Sequence, residues 1–394
     1  MTASINRPFS VYLDVVRFLA AVLVYLWHSN QRFLIESPLP ASDFGHSSVI
    51  VFFVLSGFVI AYVTDTKEST VATYAASRIS RVFSVAIPAI VITLVLDGIG
   101  RRMDPEIYSG YPYDQFLARI GGSLLMANEV WLISITSFSN VPYWSICYEW
   151  WYYVTFAMVV FLPPRMGVLA ATVVMLIIGP KLILLAPVWW MGVLLYRWRL
   201  PLQLSVTTSW AFVVISVAGI VAFHRFGISH MTGEWLKGVI GSDLHRSLTF
   251  SKDFPADYLL GALVFLNFAG MRNVTAAGGG ALISIERPVR FLASYTFTLY
   301  LLHQPLFLFW AALVRGNPAT PWYWAGVTAL TALSVGVVGS FTENRRHLLR
   351  AWMLPCFRRW ESETSATYSR GTEATGIAVT QPTAPRQGGT QRGQ

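Results

Sequence analysis

The chain is short of charge. Only 12% of its 394 residues are Asp, Glu, Lys or Arg, against about 25% in a typical soluble domain. A water-facing surface cannot be built from so few, which excludes an ordinary cytosolic enzyme, a coiled coil and a disordered protein. Cysteine is scarcer still. Cys147 and Cys356 are too few for a disulfide framework or a thiolate metal cage, and no metal is expected. No basic run is interleaved with a nucleic-acid motif, so the net charge of +9 is read as cationic loops held against anionic lipid.

What is abundant is apolar. Hydrophobic residues make up 54% of the chain, with 15 Trp, 17 Tyr and 25 Phe. Apolar segments of spanning or near-spanning length fall at 10–28, 44–63, 82–100, 144–162, 166–184, 186–198, 206–224, 257–270, 289–312 and 321–341. At about 20 residues per crossing, the expected fold is an all-α bundle of about ten transmembrane helices. The stretch 114–133 is amphipathic and too charged for a full crossing. Residues 10–28 are read as a retained helix, because Asp14 and Arg17 interrupt them and no small-residue cleavage site follows.

Orientation follows the distribution of Lys and Arg. With the N-terminus inside and ten crossings, the cytoplasmic side collects 18 of them and the opposite side 10. Both termini are therefore expected in the cytoplasm. The helices occupy residues 1–350. Residues 351–394 form a cytoplasmic tail, rich in Thr, Ser, Gly, Gln and Pro from about Glu361 and expected to be disordered from there. Chemistry then falls to the membrane helices.

An ionisable side chain at mid-bilayer costs at least about 2.5–3.5 kcal/mol, so each needs a reason. The first segment carries Asp14, Arg17 and His28. The last two are eleven residues apart, near three turns, and share a face about 16 Å apart along the axis. A structural Asp–Arg pair with an interfacial histidine would also account for them. Arg78 and Arg81 share a helical face and match phosphate oxygens bidentately, although positive flanking of a helix needs no ligand. Ser56 and Gly57 break an apolar run, either for close helix packing or for a ligand's approach. Glu149 lies in the aromatic run Tyr143-Trp144-Ser145-Ile146-Cys147-Tyr148-Glu149-Trp150-Trp151-Tyr152-Tyr153, and His303 lies within an apolar span. Glu343 meets Arg345 and Arg346 at a helix end, where a surface salt bridge is the plain reading. Intramembrane Arg, His and Glu also mark transport pathways, so a secondary transporter of an anionic or glycan substrate is the alternative. No internal repeat supports it.

In order along the chain, LDVVRFLAAVLVYLWH, FFVLSGFVIAY, Arg78-Ile-Ser-Arg81, YWSICYEWWYY, SYTFTLYLLHQP and Phe341-Thr342-Glu343 resemble the motifs of the acyltransferase 3 family, bacterial membrane enzymes that O-acylate glycans and related acceptors. The resemblance covers about residues 10–350. It departs at Ser84, where the family often has proline, and no esterase domain is expected after the last helix. It implies an O-acyltransferase of the bacterial cytoplasmic membrane, with cytoplasmic acyl-CoA (acetyl-CoA in the simplest case) as co-substrate and a saccharide hydroxyl as acceptor. It also implies His28, Glu149 and Glu343 as catalytic residues. Arg17, Arg78, Arg81, Ser56 and Gly57 would bind the donor, and Asp14, Tyr152 and His303 would support them. The histidine would act as a general base, since its ordinary pKa lies near working pH.

Overall fold

The computed structural model describes residues 5–375. Among them the only β-structure is an isolated bridge between Ser137 and Asn140. The first half holds α1 (Arg7–Ser29), α2 (Gly45–Thr66), α3 (Val71–Met103), α4 (Phe116–Leu124), α5 (Trp144–Phe161), α6 (Pro164–Ile178) and α7 (Pro180–Arg197). The second holds α8 (Val206–Arg225), α9 (Ile228–Ile240), α10 (Ser242–Ser247), α11 (Phe254–Gly278), α12 (Gly280–Ser284), α13 (Glu286–Ala293), α14 (Thr296–Val314), α15 (Pro321–Phe341) and α16 (Arg346–Thr375). Seven of these helices are long and apolar enough to cross a membrane: α1, α2, α3, α8, α11, α14 and α15. The chain is a multi-pass membrane protein. The other three expected segments coincide with α5, α6 and α7, and α6 has only 15 residues.

Local chemistry sets the helix ends. The Asn6 side chain caps α1 by accepting from the Phe9 amide at 2.7 Å, ahead of Pro8 in the first turn. Thr70 and Thr73 close a reciprocal capping box at the start of α3. Two expected spans start or stop elsewhere. The segment 166–184 breaks at Gly179, whose φ of +104° only glycine adopts at low cost, with Pro180 opening α7. The segment 289–312 splits into α13 and α14 at Ser294–Tyr295. The moderate loop 225–256 contains α9 and α10.

The most enclosed of the crossing helices is α2. It meets α7 backbone to backbone. A Cβ on Gly57 would stand 2.0 Å from the Trp189 carbonyl oxygen, and one on Gly192 would stand 2.0 Å from that of Val54. Small residues at both sides of a crossing allow this approach where lipid offers no hydrophobic drive. The packing reading of Gly57 is the one this geometry meets. α16 runs past residue 361, where the tail was expected to lose order. Glu361 Oε1 accepts from the Val71 amide at the start of α3 at 3.1 Å, and Arg359 pairs with Glu363 at 2.8 Å. The first of these ties the helix to α3, and the second is an i,i+4 pair along α16 itself. The rest of the tail, 376–394, lies outside the described residues.

Candidate active site

A cavity of about 940 Å³ opens at the face where α1 begins. That volume is at the upper end of the range for ligand sites. α1, α2, α3, α5, α14 and α16 all contribute walls. Seven Lys and Arg side chains line it against four carboxylates, so the cavity carries surplus positive charge.

Its floor is a hydrogen-bonded cluster across three helices. Ser56 on α2 donates to Glu149 Oε1 on α5 at 2.5 Å and accepts from Trp189 Nε1 on α7 at 3.2 Å. Tyr153, one turn beyond Glu149, donates its hydroxyl to the same oxygen. Tyr152 faces elsewhere, with its hydroxyl on the Leu182 carbonyl at 2.9 Å. One residue on a helix is a rotation of about 100°, and that rotation decides which tyrosine reaches the cavity. Gly57 brings α7 close enough for Trp189 to reach Ser56, but it does not line the cavity itself.

The guanidinium groups are held from several sides. Arg78 Nη2 donates to both oxygens of Glu68 at 2.8 Å, and its guanidinium lies 5.6 Å from the Tyr74 ring and 5.7 Å from the Tyr153 ring. Both Arg78 and Glu68 are buried. Arg81, one turn on, faces Tyr153, Glu149 and Glu343. Glu343 is itself buried. It accepts from the Thr298 amide at 2.9 Å and from the Thr298 hydroxyl at 3.0 Å, which makes it a carboxylate at the N-terminus of α14, where the helix dipole favours negative charge. A surface salt bridge with the following arginines is not what forms.

A second chain of charges clamps α13 to α1 at the cavity rim. Arg17 pairs with Asp14 at 3.0 Å, Asp14 with Arg290 at 2.9 Å, and Arg290 with Glu286 at 2.8 Å. Arg7 closes the chain on Glu286. Hydrogen bonds from Arg7 first and Arg290 second hold the Glu286 carboxyl below the usual carboxylate range.

The histidines sit deeper. The ring of His28, near the far end of α1, lies 5.1 Å from that of His303 on α14. His303 is fully buried. Its Nδ1 bonds the Leu299 carbonyl at 3.0 Å, which assigns the proton to Nδ1 and leaves Nε2 a free acceptor. That Nε2 is buried with no hydrogen-bond partner among the described residues. Tyr300, which lines the cavity, has its ring 6.4 Å from that of His303. The imidazole pair therefore lies one ring beyond the cavity lining, and neither imidazole is part of that lining.

The fold thus gathers Asp14, Arg17, Ser56, Arg78, Arg81, Glu149 and Glu343 around one cavity and sets His28 against His303 above it. Glu149 and Glu343 stand with the cation cluster, not beside His28. Sequence reasoning missed Glu68, Tyr153, Arg290 and Arg346 as cavity residues. Arg346 was visible as part of the basic cluster after Glu343. The others carry no local signal. No group of three or more His, Cys, Asp or Glu among the described residues is arranged to hold a metal ion.

The profile of the acyltransferase domain family, Acyl_transf_3, matches residues 10–339. The chain is 28% identical over 152 residues to the acyltransferase MdmB of Streptomyces mycarofaciens, a stretch covering 36% of this chain and 37% of that protein. No solved structure matches the chain.

Proposed function

This chain belongs to the Acyl_transf_3 family of acyltransferases, and from that premise we propose that it moves an acyl group, acetyl in the simplest case, from acyl-CoA to a saccharide hydroxyl, with His28 as general base. The donor enters from the face where α1 begins, which the excess of Lys and Arg makes cytoplasmic, in the inner membrane of a bacterium. The observation that carries this reading is the surplus of guanidinium in the 940 Å³ cavity. Planar guanidinium groups match phosphate oxygens bidentately, and coenzyme A brings several phosphates on one molecule.

In this reading Arg78 and Arg81 hold the phosphates. Glu68 and the rings of Tyr74 and Tyr153 fix Arg78 in place. Glu149, held by Ser56 and Tyr153, orients Arg81. These carboxylates position cations and do not touch the reacting atoms. Arg17 and His28 are about three turns apart on α1, roughly 16 Å along the axis. A long carrier arm such as pantetheine spans such a gap and brings the thioester past Tyr300 to the imidazole pair. His28 then removes the proton of the acceptor hydroxyl as its oxygen attacks the thioester carbonyl. The C–S bond breaks, the new C–O bond remains, and the thiolate leaves with the proton that His28 took. His303, with Nε2 unprotonated, borders the same space.

The test is acyl transfer itself. Membranes containing the chain are supplied with acetyl-CoA labelled in the acetyl group, and the surface saccharide fraction is collected. Label that depends on the chain supports the proposal. Saccharide without label, from membranes that hold the inserted protein, would refute it.

A further inference from the structure

The cation surplus of the cavity is not spread evenly. Four carboxylates line it, and each is already engaged. Glu68 takes Arg78 at 2.8 Å, and Asp14 takes Arg17 and Arg290 at 3.0 Å and 2.9 Å. Glu149 accepts from Ser56 at 2.5 Å, and Glu343 accepts from the Thr298 amide at 2.9 Å. Three cations of the lining are left over: Lys67, Arg346 and Arg350. Among the described residues none of the three has a carboxylate within ion-pair distance. Arg346 faces Glu343, but it also faces the guanidinium groups of Arg81, Arg17 and Arg78. Arg350 Nε is buried with no hydrogen-bond partner among the described residues. Positive flanking of a membrane helix asks for cations at this face, but not for their gathering around a cavity, where like charges repel.

The leftover cations stand apart from the pair on α3. α16 runs antiparallel to the first part of α3, since Arg346 faces Arg81 while Glu361 accepts from the Val71 amide at 3.1 Å. Arg346 and Arg350 are one turn apart and share a face of α16. They form a second cationic wall beside that of Arg78 and Arg81. Lys67, exposed in the connection between α2 and α3, lines the same cavity. The cavity therefore holds two sets of cations on different elements, of which only the first has a bidentate carboxylate partner, in Glu68.

We infer that Lys67, Arg346 and Arg350 bind the 3′-phosphate of coenzyme A, leaving the pyrophosphate to Arg78 and Arg81, and so select coenzyme A over donors that lack this group. This inference rests on the acyl-CoA reading above and adds a specificity-determining wall to it. Coenzyme A carries two separate anionic groups on one ribose, a pyrophosphate on the 5′ side and a phosphate on the 3′ oxygen. Two sets of cations on different elements match that division. Guanidinium groups suit phosphate oxygens by shape as well as charge. Pantetheine attached to a carrier protein has a single phosphodiester and no 3′-phosphate, and it would leave the second wall unneutralised. Discrimination of this kind is a difference between two affinities, and an unmatched wall of like charge supplies it.

The experiment uses the full chain in phosphatidylcholine nanodiscs and isothermal titration with two probes, acetyl-CoA and acetyl-3′-dephospho-CoA. The wild type should bind acetyl-CoA roughly ten-fold or more tightly than the dephospho probe, the difference expected from charge-assisted hydrogen bonds to one phosphate. Arg346→Gln with Arg350→Gln should remove that preference. Its affinity for the dephospho probe should stay within about two-fold of wild type, which also shows that the variant is folded. Lys67→Gln, on a different element, should shrink the preference in the same direction. Arg78→Ala should weaken both probes by the same factor and so keep the preference. Equal affinity of the wild type for the two probes would overturn the inference and leave the acyl-CoA reading standing. A preference that survives both the α16 and the Lys67 variants, or an α16 variant that weakens both probes equally, would overturn it too. A preference abolished by Arg78→Ala would place the 3′-phosphate on α3 instead. A wild type that binds neither probe would sink the acyl-CoA reading and this inference together.

Discussion

The imidazoles of His28 and His303 lie ring to ring at 5.1 Å, although 275 positions of sequence separate them. His303 turns Nδ1 to the Leu299 carbonyl and keeps Nε2 unpartnered and buried. Buried polar atoms are as a rule hydrogen-bonded, so this nitrogen stands ready to accept from a donor that reaches the imidazole pair.

His303→Phe keeps the aromatic volume and removes that acceptor. Turnover should fall by about ten-fold or more, with the KM for acetyl-CoA unchanged, because the donor's phosphates bind elsewhere. Steady-state kinetics at varied acetyl-CoA checks this. A changed KM with full turnover would place His303 in donor binding instead.

Arg78→Ala combined with Arg81→Ala should weaken acetyl-CoA binding by roughly ten- to hundred-fold for each guanidinium–phosphate pair removed. Glu68→Gln should give a smaller loss, since it frees Arg78 without removing it. Isothermal titration of the purified protein measures both. Donor affinity unchanged in the double variant would move the phosphate site away from α3.

Gly57→Ala should destabilise the fold. The added Cβ would meet the Trp189 carbonyl oxygen at 2.0 Å, and backbone cannot yield as a side-chain tip can. Forcing extra atoms into a packed crossing costs about 1–3 kcal/mol, and this approach is at the severe end. Ser56→Ala leaves the crossing intact and removes the bond to Glu149. Thermal unfolding in detergent should therefore separate the two, with a marked drop for Gly57→Ala and a small one for Ser56→Ala.

The ion network at the cavity rim has a pH signature. Glu286 has its carboxyl held low by Arg7 and Arg290. A depressed carboxylate contributes its stability above the ordinary value, about 4.3, and loses it as pH falls through the lower folded value. The melting temperature of the wild type should exceed that of Glu286→Gln at pH 7, and the gap should close as pH drops below about 4. A gap that persists at low pH would show that the charge of Glu286 is not what matters.

How much of this was written in the sequence depends on the kind of signal. Long apolar runs and their rarity of charge made the all-helical, multi-pass fold legible. Charged residues inside those runs were legible too, because their cost demands a reason, and Asp14, Arg17, Arg78, Arg81 and Glu149 do converge on one cavity. Glu343 was visible as a residue but not as a cap of α14, since the helix it caps begins 47 positions earlier in the chain. Tyr152 and Tyr153 could not be told apart, because the run Trp150-Trp151-Tyr152-Tyr153 is aromatic all round and shows no face. Glu68 sits in a short connection between α2 and α3 and becomes a partner of Arg78 only when the chain turns back. The break at Gly179 depended on a backbone angle that an apolar run does not advertise.

Transfer of labelled acetyl from acetyl-CoA to saccharide, in membranes carrying His28→Ala at wild-type insertion levels, tests the account most directly. A general base contributes about 10²–10⁴-fold, so labelling should fall to background while acetyl-CoA binding stays within two-fold of wild type, a shift of about 0.4 kcal/mol. Labelling at the wild-type rate in that variant would contradict the assignment of His28 as the base.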